Sequence, residues 1–226
     1  MNILVIGDIH SDIENLMVML DKIALLDFDV IVYSGDFVDI AINLKGATFD
    51  DITRLVLEEL KGLKKPIVAV PGNHDKEVLH VLEENGVSIH GTGKIIDGVG
   101  FYGYGGARTP FGTPLEPSEE EIEDGLEKAY DKVKNCKIKV QVTHMPPART
   151  KLDTISSGAH VGSEVVRKFI EEKKPAVAIS AHIHEARSVD EFGETKLINT
   201  GRYPEGYCGL VTIDADKVTT KIINLI

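Results

Sequence analysis

Leu4-Val5-Ile6-Gly7-Asp8-Ile9-His10-Ser11-Asp12 is the stretch from which the rest of the chain can be read. The apolar run from Asn2 to Ile6 has the length and content of a buried strand. It stops at a glycine, and a carboxylate and an imidazole follow one residue apart. Four later stretches repeat the arrangement: Gly35-Asp36-Phe37-Val38-Asp39, Gly72-Asn73-His74-Asp75, Thr143-His144 and Ala181-His182-Ile183-His184. Each follows an apolar run of strand length. The expectation is that five strand ends converge on one site that holds two metal ions, and that the remaining chain is its scaffold.

The elements between these stretches fix the fold class. Ile13, Leu16, Met17, Leu20, Ile23 and Ala24 have helical spacing behind Asp12, a good N-cap. Val30–Tyr33 and Ile67–Val70 read as strands. Residues 37–49 read as a loop, followed by a helix capped by Asp50 or Asp51 and running through Leu60. A short helix through Leu82 closes at Asn85-Gly86. Val87–Ile89, Lys94–Ile96 and Gly100–Tyr104 read as short strands, with Asp97-Gly98 as a hairpin turn. Residues 105–118 form a long loop. Ser118 and Glu121 stand in capping-box positions for a helix to about Lys134. Ile138–Val142 is a strand, residues 145–162 a loop, and Ser163 caps a helix that ends before Pro175. Ala176–Ser180 is a strand. The tail reads as hairpins over Arg187–Val189, Thr195–Ile198, Leu210–Ile213 and Lys217–Ile223, with turns at 190–194 and 214–216. This order predicts a mixed α/β fold in which two mixed β-sheets pack as a sandwich with flanking helices. A doubly wound sheet with an appended β subdomain is the alternative.

Length and composition bound the reading. A chain of 226 residues fits a single domain spanning 1–226 with a sizeable core. With 42% hydrophobic and 27% charged residues, it has the composition of a globular protein. No window approaches the roughly 18 consecutive apolar residues of a membrane span. The N-terminus opens directly on a strand and lacks a basic segment followed by an apolar one, so no signal peptide is expected. Cys136 and Cys208 stand in no ligand-like spacing, which suggests free thiols and a cytoplasmic location. The net charge of −11 argues against duplex nucleic acid as a partner, because a phosphate-backbone grip wants a basic face. It leaves room for a small anionic phosphoester. Gln141 is the only glutamine beside abundant Lys and Glu, a weak lean towards a thermophilic source.

The strand ends present Asp, His, Asp, Asn, His, His and His. Carboxylate and imidazole without thiolate suit Mn, Fe, Zn, Ni or Co better than Mg or Ca. Seven ligands exceed the needs of one ion and match two if one carboxylate bridges them. Such pairs sit about 3.5–4 Å apart and clamp both oxygens of an in-line displacement at phosphorus. His182 and His184 are i and i+2. On extended backbone they point the same way, about 6–7 Å apart, so one peptide addresses both ions. Asp8 and His10 have the same spacing. Asn73 and His74 are adjacent, and on extended backbone they face opposite sides.

These five blocks, in this order, resemble those of the calcineurin-like metallophosphoesterase family over residues 7–184, most of the chain. The resemblance implies a β-sandwich flanked by helices. It implies that Asp8, His10, Asp36 and His184 hold one ion and that Asp36, Asn73, His144 and His182 hold the other, with Asp36 bridging. It assigns His74 to the phosphate or the leaving group and Asp39 to orienting His74. Two departures stand out. Ala181 replaces a usual glycine before the final His-x-His, and Ile40-Ala41 follow Asp39 where protein phosphatases have Arg-Gly. The second departure removes a phosphate-contacting arginine and argues against a protein phosphatase. The chain looks more like small prokaryotic or archaeal members.

The loops supply further expectations. Arg108, Arg149 and His160 are candidates for substrate contact, and Arg202 is a weaker one. Each arginine is about as readily a solvated loop residue. His80 reads as a surface residue, His90 as a locally hydrogen-bonded one, and Asp12 and Asp75 as helix caps. The function implied is a dinuclear-metal phosphoesterase. A metal-activated hydroxide attacks phosphorus and His74 assists the leaving group, with phosphodiesters preferred because no extra cationic clamp is evident. A phosphomonoesterase or nucleotidase is one alternative. A metal-binding scaffold without turnover is another, resembling a retromer subunit of similar fold. Such scaffolds generally lack the histidine that stands here as His74.

Overall fold

The computed structural model describes residues 1–42, 46–214 and 217–226. The expected loop at 37–49 and turn at 214–216 fall partly outside them. One sheet contains β1 (Asn2–Ile6), β2 (Val30–Tyr33), β3 (Ile67–Ala69), β10 (Tyr207–Asp214) and β11 (Lys217–Asn224), in the order β11-β10-β1-β2-β3. The second contains β4 (Thr92–Ile96), β5 (Val99–Tyr104), β6 (Ile138–Thr143), β7 (Val177–Ser180), β8 (Ser188–Phe192) and β9 (Thr195–Asn199), in the order β4-β5-β6-β7-β9-β8.

Strict alternation along the central strands builds three apolar layers. In β1, Ile3 and Val5 point between the sheets and Leu4 and Ile6 point outward to helices. The inter-sheet layer is completed by Val30, Val32, Val68 and Val70 from the first sheet and by Phe101, Val140, Val142 and Ile179 from the second. On the outer face of the first sheet lie α1 (Ile13–Ile23), α2 (Phe49–Gly62) and α3 (Leu79–Glu84). On the outer face of the second, α4 (Glu119–Val133) and α5 (Glu164–Lys173) cover Tyr102, Ala178 and Leu197. Strands β1, β2, β3 and β7 are covered on both faces and are apolar at nearly every position, while β6 alternates, with Gln141 on its outer face accepting from the Tyr102 hydroxyl at 3.0 Å. Each fully buried Val, Leu or Ile contributes about 1.5–3 kcal/mol, so a charge at Val5 or Val140 would split the sandwich.

The helix starts follow the local chemistry. Asp12 Oδ1 accepts from the Asn15 N–H at 3.2 Å, Ser163 Oγ from Val166 N–H at 3.0 Å, and Ser118 and Glu121 form a reciprocal capping box. Helix α2 corrects the reading: its cap is Thr48, whose hydroxyl accepts from the Asp51 N–H while Asp51 bonds back to the Thr48 N–H. Asp51 is therefore the third helical residue of a box and not the cap. Val87–Ile89 is also no separate strand. It makes a single parallel bridge, Ser88 to Ala69, on the edge of β3. The tail hairpins divide between sheets, with β8–β9 joined in parallel to β7 through β9 and β10–β11 joined antiparallel to β1 through β10.

Strands β1, β2 and β3 run parallel, as do β5, β6, β7 and β9. Their C-terminal ends therefore share one edge of the sandwich in each sheet, where the polar blocks lie.

Candidate metal centre

The loops after β1 and β2 stay zipped beyond the strands. Asp8 N–H donates to Gly35 C=O at 2.8 Å, His10 N–H to Asp36 C=O at 3.0 Å, and Ser11 N–H to Phe37 C=O at 3.0 Å. The backbone here is left-handed at non-glycine residues: φ is 51° at Asp8 and His10, 57° at Asp36 and 69° at His182. Such conformations cost roughly 1–2 kcal/mol each and persist where surrounding structure enforces them, as at functional sites. They also correct the expected geometry. Asp8/His10 and His182/His184 do not project from extended strands. The chain turns sharply at each strand end, and His184 opens a short 3-10 turn. Asn73 and His74 likewise sit in a turn.

The turns bring the expected residues together. Asp8, His10 and His184 form one donor group, and Asp36, His144 and His182 another, each with its ligand atoms within 4.8 Å of one another. Asp36 Oδ2 lies 3.5 Å from His10 Nε2 and 3.3 Å from His144 Nε2, between the two groups. His10 Nε2 and His184 Nε2 approach to 3.2 Å, and His184 Nε2 stands 3.4 Å from Asp8 Oδ1. Asn73 Oδ1 is 3.1 Å from His144 Nε2. A third group, His10, Asp36 and His74, overlaps the first two.

These residues fit divalent cations. Asp8 is fully buried and neither carboxylate oxygen has a hydrogen-bond donor. An ionised carboxylate left so would cost several kcal/mol unless a cation meets it. His144 Nδ1–H donates to the Ser34 carbonyl at 2.8 Å, which fixes the tautomer and turns the Nε2 lone pair towards Asp36 and Asn73. A backbone carbonyl behind the ligating imidazole is the usual outer support of a metal-binding histidine.

The charges are strongly coupled. Burial pushes the Asp36 carboxyl up, but His144, His10 and His74 together hold it below the usual carboxylate range. Burial opposes a charge on His144, yet Asp36 outweighs it and the imidazole is pushed up to about 9. Burial, then His144, takes His182 down to about 4. Burial likewise lowers His10; burial also opposes a charge on His184, but the Asp8 carboxylate beside it outweighs this and raises it.

Asp75 reads in the sequence only as a cap. It makes no side-chain cap hydrogen bond. Instead its buried carboxylate accepts from the N–H groups of Phe37 at 3.0 Å, Val38 at 3.2 Å and Gly72 at 2.7 Å, tying the loop after β2 to the loop after β3. Burial and the charge of Asp36 push this carboxyl up to about 7 against those three donors.

His74 stands at the edge of the centre. Its N–H donates to Asp36 Oδ1 at 3.0 Å, and its Nδ1 accepts from the Ile40 N–H at 3.3 Å. In the neutral ring the proton is therefore on Nε2. Asp39 Oδ1 lies 3.6 Å from His74 Nδ1, beyond hydrogen-bond distance, and accepts from the Ala41 N–H at 2.8 Å.

His10, Asn73, His74, His182 and His184 form the floor of a cleft of about 590 Å³. Of the residues expected to meet substrate, Arg108 lines this cleft. Arg149 lies elsewhere, in a two-pronged ion pair with Glu164. His160 Nδ1 bonds Asp153 Oδ1 at 2.7 Å within its own loop and does not line the cleft. Phe111, Ile155 and Val161, which no motif singled out, line the walls. His80 pairs with Asp50 at the surface, and His90 Nδ1 accepts from the Gly105 N–H, as local roles require. Among the described residues no helix is long and apolar enough to cross a membrane.

Comparison with known proteins gives the same picture. The family model for calcineurin-like phosphoesterases matches residues 1–186. The uncharacterized protein MJ1162 of Methanocaldococcus jannaschii is 35% identical over 187 residues, covering 79% of each chain. The crystal structure of TT1561 from Thermus thermophilus superposes with a TM-score of 0.74 at 21% identity, over 100% of this chain and 99% of that one. Another solved structure reaches a TM-score of 0.80 at 19% identity, over 100% and 99%. These two structures establish likeness of fold, while the family model spans all five strand-end blocks, so the chain belongs to the calcineurin-like phosphoesterase family.

Proposed function

We propose that the protein is a hydrolase of small phosphodiesters that works with two divalent transition ions. Asp8, His10, Asp36 and His184 would hold one ion, and Asp36, Asn73, His144 and His182 the other. The observation that carries this reading is the place of Asp36, whose Oδ2 lies within 3.5 Å of a histidine nitrogen from each donor group. When bound, such ions supply Lewis acidity and a nucleophile available at neutral pH. Mn, Fe, Zn, Ni and Co all suit this donor set.

The chain's own residues supply the rest. His74 presents Nε2–H at the cleft floor, where it can donate to a phosphoryl oxygen or the departing oxygen. Arg108 offers one cation on the wall. Among the described residues Arg108 is the one Lys or Arg that lines the cleft, which suits a singly charged diester better than a dianionic monoester and favours diesterase over nucleotidase activity. Cys136 and Cys208 are free thiols, in keeping with a reducing, cytoplasmic setting.

The test is elemental analysis of protein reconstituted with Mn²⁺, followed by assays on bis-nitrophenyl phosphate and nitrophenyl phosphate. Two ions per chain and faster turnover of the diester are expected. A ceiling of one ion would refute the paired centre, and turnover of the monoester alone would refute the diester preference.

A further inference from the structure

The loop at residues 107–116 carries an exposed aromatic ring on a backbone clasped by Glu116, Thr109 and Thr113. Phe111 is 84% exposed and lines the cleft that holds the metal centre. Single exposed apolar side chains are common, and Leu25 is as exposed; what sets Phe111 apart is that it lines the cleft of the metal centre together with Pro110, Ile155 and Val161.

The loop that carries it is tightly clasped. Glu116 Oε1 accepts from Thr109 Oγ1 at 2.6 Å, from the Thr113 N–H at 2.6 Å and from Thr113 Oγ1 at 2.7 Å. Thr109 Oγ1 in turn accepts from the Phe111 N–H at 3.1 Å. The clasp fixes the backbone on which the ring is mounted. The loop's base is bonded to the centre itself: the Leu115 N–H donates to the Asn73 carbonyl at 3.0 Å, and the Gly106 N–H to the Pro71 carbonyl at 2.9 Å. The position of Phe111 is thereby referenced to a residue of the metal centre.

We infer that Phe111 is a stacking platform for a planar aromatic ring carried by the phosphodiester substrate, of the kind a nucleobase or an aryl ester supplies. The inference rests on the phosphoesterase reading and adds its substrate class. Pro110, Ile155 and Val161 add apolar surface to the same cleft, while Thr109 and Ser156 place hydroxyls on it for a ring with polar edges. A stacked base and a reacting phosphate together fit the size of the cleft, which falls in the ordinary range for small-molecule sites. Base-on-aromatic stacking strengthens binding by about tenfold or more where it has been tested by alanine substitution.

The experiment uses full-length protein reconstituted with Zn²⁺ and three methyl diesters: of adenosine 5′-phosphate, of ribose 5-phosphate and of phenyl phosphate. Wild type is expected to favour the adenosine over the ribose diester by about tenfold in kcat/KM. That preference should vanish in Phe111→Ala and persist in Phe111→Trp. An unchanged preference in Phe111→Ala would overturn the inference. Compared by KM, since phenolate leaves more readily than an alkoxide, a phenyl diester that matches the adenosine one assigns the ring to an aryl group, and one with a clearly higher KM assigns it to a nucleobase.

A second readout does not depend on turnover. The chain has no tryptophan, so Phe111→Trp introduces a single reporter. Its fluorescence should be quenched saturably by the adenosine diester and not by the ribose diester. Equal response to both would overturn the inference. Quenching without hydrolysis of any diester by wild type would uphold the stacking platform and fault the phosphoesterase reading.

Discussion

Gly72 stands so close to Asp36 that a Cβ on it would lie 2.0 Å from Asp36 Oδ1 and 2.3 Å from the Asp36 nitrogen. The third strand end therefore has to be bare where it passes the carboxylate placed between the two donor groups. Gly72→Ala should push Asp36 aside while leaving both sheets intact. Overpacking of this kind costs about 1–3 kcal/mol, and metal affinity should fall by more than stability does. Asp36→Asn should also lower metal content, through lost charge and not through displacement. Elemental analysis beside thermal unfolding of the two variants checks this. Wild-type metal content in Gly72→Ala would show that the close approach is not needed.

Asp75 is expected to matter for stability more than its position beside the centre suggests. Asp75→Ala strands the N–H groups of Phe37, Val38 and Gly72, all now bonded to its carboxylate. Each buried donor left unpaired costs about 1–3 kcal/mol. Asp75→Asn keeps an oxygen acceptor and should lose markedly less. Urea unfolding of both variants decides the point, and equal losses would mean that the carboxylate's charge, not its acceptor role, holds the two loops.

The contrast between Asp36 and Asp75 shows what the sequence discloses. Asp36 follows a strand-like run and a glycine, and this local pattern places it at a sheet edge beside others of its kind. Asp8 follows the same pattern, and His144 and His182 stand just beyond strand-like runs without the glycine. Asp75 serves N–H groups 37 and 38 residues away, and nothing in its neighbourhood of sequence signals them. Its position three residues into a turn makes it look like a cap. Thr48 escapes notice for a related reason: two aspartates follow it closely, and either one satisfies the cap pattern on its own. The strand-end histidines are legible as a set, but their directions are not, because left-handed backbone at Asp8, His10 and His182 cannot be read from residue type. Loop 107–116 is legible as a loop. The clasp on Glu116 is not, since a threonine-rich loop offers many equivalent partners.

A pH prediction follows from His90, which lies apart from the metal centre. Burial lowers its imidazole to about 4, and its Nδ1 accepts from the Gly105 N–H at 2.9 Å while the ring stacks on Tyr104. The folded ring thus stays neutral at pH values where the unfolded ring, near 6.5, is protonated. The unfolded state binds more protons between pH 6.5 and about 4, so this contribution to stability is complete above 6.5 and declines as pH falls to about 4. The loss attributable to His90 is at most about 3 kcal/mol. His90→Gln keeps an acceptor for Gly105 without the titration. Chemical unfolding of both proteins from about pH 7 to 4 should show a steeper decline for wild type, and parallel curves would contradict the assignment.

His74 separates ligand from acid. Its Nδ1 accepts from the Ile40 N–H, which leaves Nε2–H as the group free to act, and the ring meets His10 edge-on at 5.2 Å between centroids. A nitrogen that carries a proton cannot at the same time donate its lone pair to a cation, so His74 in this tautomer serves as a donor. General-acid assistance is worth about 10²–10⁴-fold where the leaving group is poor and little where it is good. His74→Ala should retain both ions. It should lose far more activity on a diester with an alkyl leaving group than on a nitrophenyl diester. Asp39→Asn should have a smaller effect than His74→Ala, because Asp39 lies 3.6 Å from Nδ1 and spends its carboxylate on the Ala41 N–H. Metal content and kcat on the two diesters, measured in wild type and both variants, read these effects separately. Equal losses on both diesters would make His74 a phosphate-binding residue. Loss of an ion would make it a ligand through the group it forms with His10 and Asp36.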